Sequence, residues 1–208
     1  MSATRADLVG GRLPRGPHRL SREEVERSQR ERLLLGAADA VAEKGYAATS
    51  VADILRRAGV SRTTFYQLFD DKLDCFLGAC TMATDLVASV MLEELAAIDD
   101  DATPLERLDH LLGAYLRTLA EDPVLARVFL VEVYAAGPTA VQQRRESQMH
   151  FVDLFASITE GAMGPVGAGL QQRFAAEVLV GGISSMVTNL VGAGETHRLP
   201  ELRGPLID

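Results

Sequence analysis

The chain has 208 residues, 47% of them hydrophobic, with a formal net charge of −8. That apolar content suffices for one or two domains with cores of their own. Every stretch of about 18 residues carries polar interruptions, and no apolar run follows the first basic residues, so neither a membrane span nor a secretory signal is expected.

The charge is unevenly spread. Residues 1–72 hold 13 Lys/Arg against 10 Asp/Glu, and residues 73–208 hold 8 against 19, balances of +3 and −11. A basic N-terminal module on an acidic body follows, and the body discourages nucleic acid from binding anywhere but on the module.

In chain order, residues 1–20 (GGRLPRGPHRL at their end) are rich in Gly, Pro and Arg without apolar periodicity, which predicts a disordered basic arm. Arg12, Arg15 and Arg19 leave two readings for it: solvent-exposed chain, or an arm reaching the minor groove or nearby phosphates. Ser21 with Glu24 three residues on forms a capping box, which predicts a helix to about Lys44, closed by Gly45. Its apolar stripe is Val25, Leu33, Leu34, Ala37, Ala40 and Val41. Thr49 or Ser50 caps a short helix, Val51 to Ala58, and after Gly59 Ser61 caps another. Two short helices across a tight glycine turn, covered by a preceding helix, make a helix-turn-helix. Asp70 or Asp71 opens a long helix to about Ile98.

The remainder is also helix-like, with breaks at Asp99–Asp101, Asp122-Pro123, Gly137-Pro138, Gly161 to Gly169 and Gly192 to Pro200. No segment alternates with period two over a strand's length. The expected fold is all-α: a three-helix N-terminal DNA-binding domain at 21–70 and a helical body at 71–208. Cys75 and Cys80 lie five apart on a predicted helix and face different sides, which predicts reduced thiols in a cytoplasmic protein.

The short helix opening at Ser61 divides its residues by height. Its first turn offers the Arg62 guanidinium and the Thr63 and Thr64 hydroxyls, groups that read base edges. Phe65, Leu68 and Phe69 share one face by i, i+3, i+4 spacing and predict an anchor on the protein. Tyr66 and Gln67 leave that face toward phosphates, Lys72 is placed as a further phosphate contact, and the amides at the Ser50 cap can add to it. Taken singly, each has a plainer role: solvated surface for Arg-Thr-Thr, half-buried packing for Tyr66, charge balance for Lys72.

TSVADILRRAGVSRTTFYQLFDDKLDCF, with GAADAVAEKGYAATS before it, resembles the DNA-binding signature of the TetR family of transcriptional regulators over about residues 30–77. Leu68 departs from the pattern, standing where many members carry His or Tyr. The resemblance implies a homodimer that reads a palindromic double-stranded operator. The DNA-binding set is then Ser50, Ser61, Arg62, Thr63, Thr64, Tyr66, Gln67 and Lys72.

The body shows no phosphate-cradling loop, metal-ligand spacing or nucleophile–base pair. His18, His110, His150 and His197 are scattered, and Ser184-Ser185 lacks the flanks of a nucleophile elbow. No catalytic residue, metal or cofactor is expected. Residues 178–194 (VLVGGISSMVTNLVGAG) carry no charge, and small residues recur at helical spacing. Such a helix is buried in its own subunit or packs on a second copy. By resemblance the late helices form the dimer interface, with Gly181, Gly182, Ser185, Met186 and Asn189 at the contact. The middle helices carry Tyr115, Phe129, Glu132, Tyr134, Met149 and Phe155, either core or the lining of an effector cavity, which family members often hold there. Glu132 is the lone charge in VFLVEVYAA, readable as a solvated or interface residue or as a ligand anchor. Arg117, Arg127 or Tyr134 could satisfy it internally.

Overall fold

A computed structural model describes residues 21–159 and 170–207, and among these every regular element is helical. The basic arm at 1–20 and the glycine-rich break at 161–169 lie outside the described residues. Helix α1 spans Arg22–Lys44, α2 Val51–Ala58, α3 Arg62–Leu68 and α4 Lys72–Ala96. Beyond them lie α5 Pro104–Glu121, α6 Pro123–Arg127, a π-helical turn Val128–Glu132, α7 Val133–Ala135, α8 Pro138–Ile158 and α9 Leu170–Gly192. A 3₁₀ segment Thr196–Leu202 and a final turn α10, Arg203–Ile207, close the chain.

The starts follow from side-chain oxygens that satisfy orphan amides. Ser21 and Glu24 form a reciprocal capping box on α1. Ser50, and not Thr49, caps α2, again with a capping box to Asp53. Thr49 instead turns inward and donates to the carbonyls of Ala40 and Gly45. Asp71, and not Asp70, caps α4 by accepting from the Asp74 amide.

Leu33, Leu34, Ala37 and Ala40 of α1 pack with Ile54, Ala58, Phe65 and Phe69, and Cys75 and Ala79 of α4 complete this head core. Gly36 lets α1 meet α2 closely, because a Cβ there would stand 3.1 Å from backbone atoms of both Ile54 and Ala58. Two arginines of α1 then close the short helices. Arg30 donates to the Leu68 carbonyl at the end of α3, and Arg32 to the Ala58 carbonyl at the end of α2.

A larger core joins α4, α5, the π turn, α8 and α9 through Val87, Met91, Leu112, Phe129, Val152 and Val187. The last turn is tied on by Arg203, which meets the Asp109 carboxylate through Nε at 2.6 Å and Nη2 at 2.8 Å. Burial pushes the thiols of Cys75 and Cys80 up to about 12, so both are inert packing groups.

Two helices, α4 and α9, are long and apolar enough by composition to span a membrane, which a search for uninterrupted apolar runs passes over. They differ in what covers them. Half of the apolar stretch in α4 is buried, against 28% in α9.

One ion cluster fixes the head. Asp53 takes Lys44 Nζ and Arg56 Nη2 on one oxygen, each at 2.6 Å, and the Ser50 amide and hydroxyl on the other. The Lys44 hydrogen bond, then those of Ser50 and Arg56, hold its carboxyl well below the ordinary value of 3.8. A depressed carboxylate stabilises the fold above its unfolded-state value and loses that contribution as pH falls. Asp53→Asn is therefore expected to melt earlier than wild type at neutral pH, with the gap closing as pH drops below 3.8. Thermal scans across pH check this; a gap independent of pH would show that the charge contributes nothing.

Candidate nucleic-acid interface and interior cavity

Helix α3 stands on its rings. Phe65 is fully buried and Phe69 nearly so, their centroids 5.8 Å apart. Arg30 stacks over Phe69 with its guanidinium carbon 4.5 Å from the ring centre. Tyr66 meets the edge of Phe65 at 5.2 Å yet stays 53% exposed. Arg62, Thr63 and Gln67 are exposed beside it, and no hydrogen bond or ion pair among the described residues engages the Arg62 side chain. The first turn thus faces outward while the rings hold it.

The remaining members of the DNA-binding set carry structural duties. Ser61 caps α3, and its hydroxyl lies 2.9 Å from that of the half-buried Thr64. Ser50 is exposed, but its hydroxyl is engaged with Asp53. Lys72 departs from the expectation of an outward phosphate contact. Its Nζ donates to the carbonyls of Tyr46 at 2.9 Å and Thr49 at 3.0 Å, and lies 4.1 Å from the centre of the Tyr46 ring. The ammonium closes the turn between α1 and α2 against the start of α4.

Tyr46 is tied from the body as well. Glu132, 6% exposed, accepts the Tyr46 amide at 2.9 Å on one oxygen and Arg127 Nη2 at 2.8 Å on the other. Gly45, with φ +79°, turns the chain there, and a Cβ on it would stand 3.4 Å from the Glu132 carboxylate. Glu132 is therefore a latch between body and head rather than a cavity residue. Of its three candidate partners Arg127 is the one engaged; Arg117 pairs with Glu94, and Tyr134 is exposed.

The latch sits in the π turn, whose extra residue rotates neighbouring side chains to different sides. Val128 joins Val41, Phe76 and Cys80 at the junction with the head, while Phe129 joins the body core. Phe129 also lines a cavity of about 30 Å³, partly open to solvent, with Tyr115, Phe155, Leu112, Arg144 and Ser184. Three of the six expected lining residues, Tyr115, Phe129 and Phe155, are at this cavity. Glu132 is in the latch, Tyr134 points outward, and Met149 packs against the core elsewhere. Arg144, which the sequence reading passed over, lines it too. Its only signal was a cation on the helix that supplies Phe151 and Phe155, at i, i+7 and i+11.

On α9 the cavity side is Val180, Ile183 and Ser184. The opposite side exposes Gly182, Ser185, Met186 and Asn189, with Gly181 at its margin, and beyond the local helix backbone nothing among the described residues lies within 4 Å of a Cβ added at either glycine. Phe174 and Val178, also exposed, extend that stripe toward the start of the helix.

Comparison with known proteins bears on this architecture. Residues 33–79 match the family described as bacterial regulatory proteins, tetR family. Residues 33–79 thus carry the DNA-binding domain of the TetR family. The chain is a DNA-binding transcriptional regulator and not an enzyme. Among its relatives is a fatty acid metabolism regulator protein of Bacillus subtilis, 27% identical over 83% of this chain and 88% of the relative. Another is the transcriptional activator FasR of Mycolicibacterium smegmatis, 26% identical over 68% of this chain and 63% of the relative. The crystal structure of FadR from Bacillus subtilis in complex with stearoyl-CoA superposes with a TM-score of 0.72, at 25% identity over 85% of this chain and 94% of that one.

Within this regulator the latch yields a direct expectation. Glu132→Ala strips the half-buried Tyr46 amide and the Arg127 guanidinium of their acceptor, a loss of about 1–3 kcal/mol. Chemical denaturation of the full chain measures it, and an unchanged midpoint would deny the latch any stabilising role.

Proposed function

We propose that the chain is a cytoplasmic, homodimeric TetR-family repressor, released from a palindromic operator by a small, largely apolar ligand. Residues 21–70 form the DNA-binding domain and 71–208 the effector-binding and dimerisation domain. The observation that carries the reading is the division of α3, with Phe65 and Phe69 buried beneath an exposed turn of Arg62, Thr63, Tyr66 and Gln67. Arg62, Thr63 and Thr64 meet base edges, while Tyr66 and Gln67 reach phosphates with the cap residues Ser50 and Ser61 beside them.

The apolar stripe of α9 seats the second copy. The paired heads then stand about one DNA turn apart, roughly 34–36 Å, and enter successive major grooves. The interior cavity receives the effector. Its 30 Å³ admits about two waters, so any larger guest displaces its walls. Phe129 is one of those walls and Glu132 follows it in the same π turn, so displacement reaches Tyr46 and the head through the latch. The size of the response is bounded by the ligand's difference in affinity for the two arrangements. The acyl ligand in the FadR structure supports an acyl chain as the apolar part of the effector.

The relative named as an activator supports a second reading, in which the same contact with DNA raises transcription. Reporter output from the bound promoter, with and without the protein, decides the sign.

Arg62→Ala is expected to weaken specific binding by about 1–3 kcal/mol in a gel-shift titration at fixed salt, while thermal stability holds. Unchanged affinity would remove Arg62 from base recognition. Gly182→Arg places a charge in the proposed seam and is expected to give monomers in light scattering; a persistent dimer would move the interface off this face.

A further inference from the structure

Arg144 is an unusual tenant of an apolar cavity. It is 6% exposed, and its guanidinium carbon lies 4.6 Å from the centre of the Phe129 ring. Nη2 donates to the Ser184 hydroxyl at 2.8 Å, and Nε is buried without an acceptor. No carboxylate pairs with it among the described residues, although the other buried ion in this half of the chain, Glu132, has its arginine. Arginine cannot escape by losing its proton. A buried cation without a counter-charge is costly, and a ring face and one hydroxyl offset only part of that cost. Its charge is felt across the cavity, since it opposes the rise that burial imposes on the Tyr115 phenol.

We propose that Arg144 is an anion anchor and that the effector is an amphiphilic acid, its carboxylate on the Arg144 guanidinium and its apolar chain among Met91, Leu112, Phe151 and Phe155. The inference rests on the effector-cavity reading above and sharpens it. Nε and Nη2 lie on one edge of the guanidinium plane, the geometry that receives a carboxylate through two parallel hydrogen bonds. Nη2 then exchanges or shares the Ser184 hydroxyl with the incoming oxygen. A thioester of the same chain carries no charge at that point, so it leaves Nε without an ionic partner.

Calorimetry on the full-length protein tests this with laurate and palmitate, the matching primary alcohols, and palmitoyl-CoA. The acids are expected to bind at least about tenfold more tightly than their alcohols, the span of a charge-assisted hydrogen bond. Arg144→Met should abolish that preference, keep the affinity for the alcohols, and raise the melting temperature of the ligand-free protein. Equal affinity of wild type for acid and alcohol would overturn the proposal without any variant, as would a preference that survives Arg144→Met. Binding of palmitoyl-CoA but not palmitate would overturn the anchor while leaving the cavity reading intact. If none of the probes bound, the cavity reading itself would fall with it.

Discussion

A carboxylate buried to the extent of Glu132 must find donors, or its burial costs more than the surrounding packing returns. Here the donors come from two different parts of the chain: an amide at the end of α1 and a guanidinium five residues back in the body. That arrangement makes the position of the head a condition of the body's electrostatics. Separating the two parts leaves an acid facing a junction lined by Val41, Phe76 and Val128. Tyr46 collects the consequence, because its amide is held by Glu132 while its carbonyl and ring are held by Lys72. A single residue between α1 and α2 thus receives the body from two directions, and the helix that follows it carries the head's second capping network.

The recognition helix shows the same economy at smaller scale. Seven residues cannot persist as an isolated helix. α3 exists because Phe65 and Phe69 are buried, Arg30 covers its C-terminal end and Ser61 its start. With both ends and one face committed to the protein, the backbone of the exposed turn of Arg62 and Thr63 is positioned before any duplex arrives, so what remains to be ordered there is side chain rather than backbone. The acidic body contributes by its net charge: at −11 over residues 73–208 it disfavours phosphates relative to the basic head.

What was legible in the sequence was local. Ser21 with Glu24, Ser61 with its following turn, and Phe65 with Phe69 each act within four residues, and the helix boundaries they predict are those observed. The period of α9 likewise separates Val180 and Ile183 from Gly182 and Met186. Partners far apart in the chain were not legible. Lys72 reads as a phosphate contact because nothing nearby in sequence reveals the carbonyls of Tyr46 and Thr49, more than twenty residues earlier. Glu132 meets Tyr46 across 86 positions, and the π turn that aims it has no composition of its own. Tyr134 fails as a lining residue for that reason too, since it follows the inserted residue directly, whereas Met149 lies on the separate helix α8 and packs against the body core.

The helical phase of α9 decides how the two faces of the body communicate. Helix α9 presents Val180, Ile183 and Ser184 to the cavity and Gly182, Met186 and Asn189 away from it, so one rigid rod separates the proposed effector from the proposed partner. A wall built from a long helix does not yield locally; packed interiors transmit displacement instead of absorbing it. A guest larger than the cavity displaces one or more of its walls, among them α9, which faces the proposed partner, and the π turn, which carries the latch to the head. In the proposed dimer, motion of the first alters the spacing between heads and motion of the second their tilt. Both motions start at neighbouring side chains, Ser184 on α9 and Phe129 in the π turn, and Arg144 touches each of them. Under the proposed function, a ligand that engages the guanidinium therefore acts on both the proposed seam and the latch through one group, because Arg144 holds Ser184 of α9 and stacks on Phe129 of the π turn.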